Sequence, residues 1–102
     1  MQFFIKQNSD IPVIRLKIDV PNELSDVKFN LIDNKTNTPL LINSEGYTDG
    51  NILCYKLDKK LTKQVRTFNG YFTFTYENTK KSSDEFEIIV LESFSHHNIC
   101  CK

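Results

Sequence analysis

The sequence predicts an all-β protein made of two packed antiparallel sheets, and three observations lead to that prediction. The 102-residue chain contains no alanine, which is the best helix former. Eight Phe, four Tyr and ten Ile supply the aromatic and β-branched side chains that suit strands. Ten Asn, three Gly and three Pro supply turn chemistry. Short strands separated by frequent turns are therefore expected along the whole chain.

Seven short runs have the character of strands. Most are bounded by clusters of Gly, Pro, Asn, Asp or Ser, as strand ends usually are. Pro12 stands between the first two runs, and proline in sheets is confined to an edge, a strand start or a bulge. In chain order the predicted strands are residues 2–6, 13–20, 27–31, 39–43, 51–57, 70–76 and 85–91.

Alternation of apolar and polar residues assigns the buried face of four of these strands. The strand at 51–57 is instead apolar on both faces at its start, which predicts a central strand with Cys54 as a buried thiol. The alternating strands are expected to contribute these core residues: Ile14, Leu16, Ile18, Val27, Phe29, Leu31, Phe72, Phe74, Phe86, Ile88 and Val90.

The connections between strands are mostly polar. Residues 21–26 are predicted to form a turn, and residues 44–50 and 77–83 to form loops. Residues 58–66 are the one helix-compatible stretch, but an isolated helix this short is marginal, so a single turn or an irregular connection is expected. About seven strands with turns every ~8–12 residues are typical of an immunoglobulin-like β-sandwich, with a small β-barrel as the alternative. We expect one such domain at 1–92 and an irregular tail at 93–102.

Charge and composition disfavour several classes of function. The 13 basic and 13 acidic side chains cancel, which removes the main electrostatic drive toward nucleic acid or an acidic membrane. No run approaches the ~18–20 apolar residues of a membrane span, and the start lacks a charged leader with an apolar core. We therefore expect no nucleic-acid partner and no membrane partner, and synthesis in a reducing cytoplasm is the default expectation.

No motif for catalysis or for cofactor binding occurs. The acidic residues Asp84, Glu85, Glu87 and Glu92 resemble paired carboxylates, but Glu85 and Glu87 alternate with apolar residues and are expected on the solvent face. We expect no enzymatic activity and no cofactor.

Two further clusters have a functional and a simpler interpretation. The basic run Lys59, Lys60, Lys63 and Arg66 lies near aromatic residues, as in single-stranded nucleic-acid sites. The zero net charge favours a solvated connection or a rim that meets an acidic partner. Several apolar residues either cap the core or form a docking patch, since aromatics are enriched at interfaces. These candidates are Phe3, Phe4, Ile5, Phe68, Tyr71 and Phe94.

Residues 4–16, Phe-Ile-Lys-Gln-Asn-Ser-Asp-Ile-Pro-Val-Ile-Arg-Leu, resemble the start of the N-terminal domain of phage baseplate upper proteins. Gly70-Tyr71-Phe72-Thr73-Phe74 and Phe86-Glu87-Ile88-Ile89-Val90 are loosely similar to the closing hairpin of such domains. The resemblance implies an immunoglobulin-like domain without enzyme activity, used to dock parts of a virion.

The resemblance also implies partners and a location. The expected partners are other virion structural proteins of the capsid, portal, tail or baseplate, with a homo-oligomer left open. The expected location is the virion, after synthesis in the host bacterial cytoplasm. Segment 2–20 is expected to add to a neighbouring sheet edge. The alternative function is a carbohydrate-binding or adhesin-like recognition module, which the absence of Trp disfavours.

The tail sequence also generates a prediction about metal. His96, His97, Cys100 and Cys101 are four candidate zinc ligands, but adjacent ligands strain one tetrahedral site, and we expect no zinc there. The melting temperature should then stay unchanged when a chelator is added, because a structural zinc would contribute folding energy directly. A large drop that zinc reverses would contradict this expectation.

Overall fold

The computed structural model describes residues 1–8 and 12–92, which contain nine strands and one short 3₁₀ turn. The 3₁₀ turn, Lys59–Thr62, lies between the sixth and seventh strands. The strands are β1 Gln2–Lys6, β2 Val13–Lys17, β3 Leu24–Asp33, β4 Pro39–Glu45, β5 Tyr47–Asp49, β6 Ile52–Lys56, β7 Arg66–Tyr76, β8 Thr79–Ser82 and β9 Phe86–Leu91.

The strands form two sheets that pack as a sandwich, which confirms the predicted all-β class. The large sheet has the order β1-β9-β7-β3-β4, and β8 pairs with the far end of β7. The small sheet has the order β2-β6-β5, so β6 is the central strand that its sequence predicts. Gly46 separates β4 from β5, where the chain passes from the large sheet to the small one.

One strand pair differs from the expected antiparallel arrangement. β1 pairs with β9 in parallel, with Phe4 opposite Ile89. A tight hairpin forces neighbouring strands to be antiparallel, but nearly the whole chain separates β1 from β9, so no turn sets their relative direction. The expectation of two purely antiparallel sheets is wrong at this one pair.

The predicted core is largely confirmed. Leu16 and Ile18 are half-buried and pack against the core, and the other nine predicted core residues are buried. Alternation missed core residues that lie near strand ends, in a strand apolar on both faces, or in a stretch assigned to a turn. The missed residues are Ile5, Leu24, Leu53, Leu57 and Phe68.

A group of aromatic rings joins the two sheets. The ring of Phe29 in the large sheet stacks on the ring of Tyr55 in the small sheet, with centroids 4.5 Å apart. Phe29 also lies 4.9 Å from Phe72 and 6.2 Å from Phe86, ring centre to ring centre. A Cβ added to Gly70 would lie 3.1 Å from Phe29 and 3.2 Å from Phe86, so this glycine leaves room for the rings to meet.

Two strands were predicted as loops. β8 consists of four exposed residues, so no apolar pattern marks it, and it forms because the two-residue turn at Glu77 and Asn78 folds the chain back onto β7. Both turn residues have positive φ, at 50° and 63°, as a type I′ hairpin turn requires. β5 has only three residues and is defined by its pairing with β6.

The other connections match their predictions in part. The 58–66 stretch contains a single 3₁₀ turn, as expected, and the Asp58 carboxylate accepts a hydrogen bond of 2.9 Å from the backbone N–H of Lys60. The turn predicted at 21–26 is shorter than expected, since β3 begins at Leu24. The first residues of β3 form a bulge against β7, and Asp26 has φ of 49°.

Replacing one ring of the aromatic group should destabilise the fold strongly. Phe72→Ala removes a fully buried ring, so we expect a loss of about 3–5 kcal/mol in the free energy of unfolding. The matched control Phe4→Ala removes a largely exposed ring, and surface substitutions usually change stability by no more than about 0.5 kcal/mol. Denaturant unfolding measures both, and equal losses would contradict the burial of Phe72.

Candidate docking surface

The three apolar residues predicted for docking in β1 point to opposite faces of the sheet, because successive side chains in a strand alternate. Phe3 is half-buried, and its ring meets that of Phe86 edge to face at 5.0 Å. Ile5 is only 8% exposed and belongs to the core, whereas Phe4 is 60% exposed on the outer face. Only Phe4 is available to a partner, and the prediction is wrong for Ile5.

The remaining predicted docking residues do not join Phe4. Phe68 is fully buried, and the Arg66 guanidinium lies 4.8 Å from its ring centre, so Phe68 is a core residue and not part of a docking patch. Tyr71 is half-buried on the outer face, opposite Asn30 of β3. Phe94 lies outside the described residues. The six predicted residues therefore do not share one surface.

The structure instead places Phe4 in a different set of apolar residues, here called the outer-face patch: Phe4, Val65, Ile89 and Leu91. Ile89 is opposite Phe4 in the β1–β9 pair, and Leu91 is on the same face two residues on. Val65 directly precedes Arg66, which pairs with Val90, so Val65 lies beside Leu91. The sequence signal for this patch is the run Ile88-Ile89-Val90-Leu91. Because this run is apolar on both faces, it indicates that the outer face of β9 also carries apolar residues.

The outer-face patch borders β1, whose main chain is paired on one side only. Within the described residues, β1 is hydrogen-bonded to β9 and to no other strand. The Met1 carbonyl accepts from the Glu87 N–H at 3.1 Å, and the Gln7 N–H donates to the Leu91 carbonyl at 2.7 Å. Odd-numbered residues at both ends of β1 thus direct their main-chain groups toward β9.

The alternation of a strand fixes the direction of the remaining main-chain groups. In a parallel pair every second residue faces its partner strand, so the groups of Phe3 and Ile5 also face β9. The N–H and C=O groups of Gln2 and Phe4 therefore point away from β9, along the free edge. This edge can accept another strand, and Phe4 would lie at its centre.

The other free edges in the described chain have features that discourage pairing. β2 carries the charged residues Arg15 and Lys17. β4 begins at Pro39 and is irregular against β3, with Asn43 at φ of 50°. β5 has three residues, and β8 has four, of which two are lysines. β1 has no proline, no bulge and no residue of positive φ.

The charges of the described residues are segregated toward the two ends of the sandwich. The end at which β1 and β9 finish and β7 begins, here the basic end, carries seven basic and three acidic side chains. The opposite end, here the acidic end, carries nine acidic and five basic side chains. The basic residues of the basic end are Lys6, Lys35, Lys56, Lys59, Lys60, Lys63 and Arg66. The acidic residues of the acidic end are Asp19, Glu23, Asp26, Glu45, Asp49, Glu77, Asp84, Glu85 and Glu87.

Three residues singled out in the sequence make local contacts in this arrangement. Arg66 forms an ion pair with Asp33 of the β3–β4 hairpin. Glu87 accepts a hydrogen bond of 2.8 Å from the side chain of Gln2. Cys54 is a buried thiol, as predicted, and burial is the largest cause of its raised pKa.

Neither a group of metal ligands nor a membrane-spanning helix is found in the part of the chain that the structure describes. Among residues 1–8 and 12–92, no group of three or more His, Cys, Asp or Glu could hold a metal ion. His96, His97, Cys100 and Cys101 lie outside these residues. None of the helical segments described is long and apolar enough to cross a membrane.

Comparison with known proteins gives no relative. No family model matches the chain, and no curated protein is similar to it. Its function therefore has to be inferred from its own edge, patch and charges.

The ion pair at the basic end predicts a dependence of stability on pH. The backbone N–H of Lys35, and then Arg66, lower the pKa of Asp33 by bonding to its charged form. A lowered pKa in the folded state gives stability that is present above the unfolded value of ~3.9 and is lost as the pH falls through the folded value. At pH 7 the wild type should melt at a higher temperature than Asp33→Asn, and the two melting temperatures should converge below pH ~4. A constant difference would contradict this assignment.

Proposed function

We propose that this protein is a non-enzymatic structural component of a tailed-phage virion, an immunoglobulin-like module that docks on the capsid or on the tail and baseplate. The docking surface is the β1 edge together with the outer-face patch. The observation that carries the proposal is that β1, alone among the free edges of the described residues, has an exposed apolar residue at its centre and neither a bulge nor a residue of positive φ. The resemblance of residues 4–16 supports the virion assignment.

The mechanism is the addition of a partner strand to the large sheet. The N–H and C=O groups of Gln2 and Phe4 would pair with the main chain of that strand, and main-chain pairing supplies affinity in this mode of recognition. Alternate side chains of the partner strand would pack against Phe4 and Leu91, which are 60% and 44% exposed. Specificity then comes from the outer-face patch and affinity from the backbone.

Rigidity of the edge favours this role. β9 supports β1 along its whole length, and Phe86, Ile88 and Val90 anchor β9 in the core. The inward residues Phe3 and Ile5 hold β1 itself against that core. A partner strand therefore meets a pre-formed template, which lowers the entropy that binding would otherwise cost.

The proposal predicts that an acidic residue at the centre of the edge prevents assembly. Phe4→Asp places a charge in the outer-face patch without removing a core side chain, and Ile42→Asp is the matched control on β4, since Ile42 is 71% exposed. Quantitative mass spectrometry of purified particles should show at least a roughly tenfold loss of the Phe4→Asp chain. The control should be incorporated like the wild type.

Two outcomes would contradict the proposal. Absence of the wild-type chain from purified particles would remove the virion role. Alternatively, Phe4→Asp could be incorporated as well as the wild type, which would remove the β1 edge as the docking surface. Circular dichroism of both variants verifies that they remain folded.

A further inference from the structure

We infer that the partner segment at the docking surface is apolar where it lies against the outer-face patch and acidic where it reaches the basic end. The inference rests on the proposed function, because it names the chemistry of the partner at the same surface. The occupant is an extended stretch of another virion protein in which apolar residues adjoin two or more carboxylates. Three observations support it: the course of the chain at the end of β1, the unpaired lysines around it, and the position of Val65 beside them.

The free edge of β1 ends against the 3₁₀ turn of the basic end. The Asn8 N–H donates to the Thr62 carbonyl at 2.8 Å, and the Gln7 side chain donates to the Lys63 carbonyl at 2.6 Å. A partner strand that pairs with the main chain of Phe4 therefore cannot continue straight along the edge. Beyond Phe4 it meets the residues that surround the 3₁₀ turn.

Three lysines near this point have no acidic partner among the described residues. The side chains of Lys35, Lys60 and Lys63 are exposed and form no ion pair in that part of the chain. Lys6 and Lys59 already have partners within the chain and are left out of this set. The three unpaired ammonium groups are available to carboxylates of another protein.

The acidic side chains of the basic end do not cancel this charge. Asp33 is bonded to Arg66 and to two backbone N–H groups of the β3–β4 hairpin, and its side chain is only 13% exposed. Asp58 accepts from a backbone N–H of the 3₁₀ turn, and Glu92 is the remaining acidic residue. With seven basic and three acidic side chains, this end keeps a positive excess that an acidic partner would neutralise.

The outer-face patch adjoins the cations at Val65. This residue is 56% exposed and lies beside Leu91 on the outer face. It also lines a surface depression together with Lys35 and with the paired side chains of Arg66 and Asp33. The depression therefore holds one unpaired positive charge next to an apolar side chain. A segment that covers Val65 brings its neighbouring residues to that charge.

The spacing of the strands gives the length that the partner segment needs. Phe4, Ile89 and Thr67 are neighbours across β1, β9 and β7. Adjacent strands lie ~4.8 Å apart, so about 10 Å separates the free edge from β7, and three extended residues at ~3.3 Å each span it. A carboxylate three or four residues from the side chain that contacts Phe4 can therefore reach the unpaired lysines.

A protein segment fits this surface better than nucleic acid does. Sites for single-stranded nucleic acid stack bases on exposed aromatic rings among the cations. Phe68, which accompanies the basic run in the sequence, is fully buried and cannot serve in this way. The apolar residues that do lie beside the cations are the aliphatic Val65 and Leu91.

Reversal of charge at the basic end should weaken assembly. Lys35→Glu with Lys63→Glu replaces two unpaired cations by carboxylates, and we expect at least a roughly tenfold loss of this variant from purified particles in quantitative mass spectrometry. The matched control is Lys80→Glu with Lys81→Glu, which makes the same change of charge on the exposed strand β8. The control should be incorporated like the wild type, and circular dichroism verifies that both variants are folded.

Carbodiimide cross-linking of wild-type particles identifies the partner segment. The reagent joins an amine to a carboxylate in contact with it, so Lys35, Lys60 or Lys63 should become linked to an Asp or Glu of another virion protein. Mass spectrometry of the digested particles gives the linked peptide. Apolar residues should occur within about four positions of the linked carboxylate, as the span across the strands requires.

The outcomes separate this inference from the proposed function. Wild-type incorporation of the Lys35→Glu, Lys63→Glu variant, or no cross-link from the three lysines in particles that contain the chain, would overturn the acidic partner and leave the β1 edge as the docking surface. Release of the chain by nuclease would assign the basic end to nucleic acid and would also overturn it. Loss of the charge-reversed variant while Phe4→Asp is incorporated normally would keep the acidic contact and remove the β1 edge. Absence of the wild-type chain from particles would remove both.

Discussion

Contact between the Phe29 and Tyr55 rings is the interaction on which the sandwich depends, because it joins the two sheets at the centre of the core. That contact is possible only because Gly70 carries no side chain where Phe29 and Phe86 approach β7. Phe86 in turn fixes the start of β9, and β9 is the strand on which β1 is laid. The packing at the centre of the molecule therefore determines how its outermost strand is presented. The proposed docking edge is therefore held in place by the buried residues of the core.

Strands that bury one face could be predicted from the sequence. Strands that have no buried face could not be predicted in this way. The alternation around Ile14 and around Phe72 gives the correct inward faces, because burial on one side leaves a period of two. β8 has no buried face, so only the turn at Glu77 and Asn78 could have indicated it. The parallel pairing of β1 with β9 joins opposite ends of the chain, and no local pattern encodes such a contact.

The candidate surface was only partly accessible to sequence reasoning, for two physical reasons. A list of aromatic residues does not say which face each ring occupies, and Phe4 is exposed while Phe68 is buried. Net charge is a sum, and a sum of zero conceals that basic and acidic side chains collect at opposite ends of the sandwich. The expectation of weak electrostatics holds for a uniform partner such as nucleic acid. It does not hold for a partner that is itself polarised.

The central claim is that the outward main-chain groups of Gln2 and Phe4 are open in the single chain and closed in the assembly. Residue-resolved amide hydrogen exchange measures this directly, with Ile5, whose N–H faces β9, as the internal reference for Phe4. In a dilute sample the Phe4 amide should exchange much faster than the Ile5 amide. In assembled particles the protection of Phe4 should rise at least ~tenfold, while that of Ile5 stays unchanged. A Phe4 amide as protected as Ile5 in the dilute chain would contradict the account, because the edge would then already be covered.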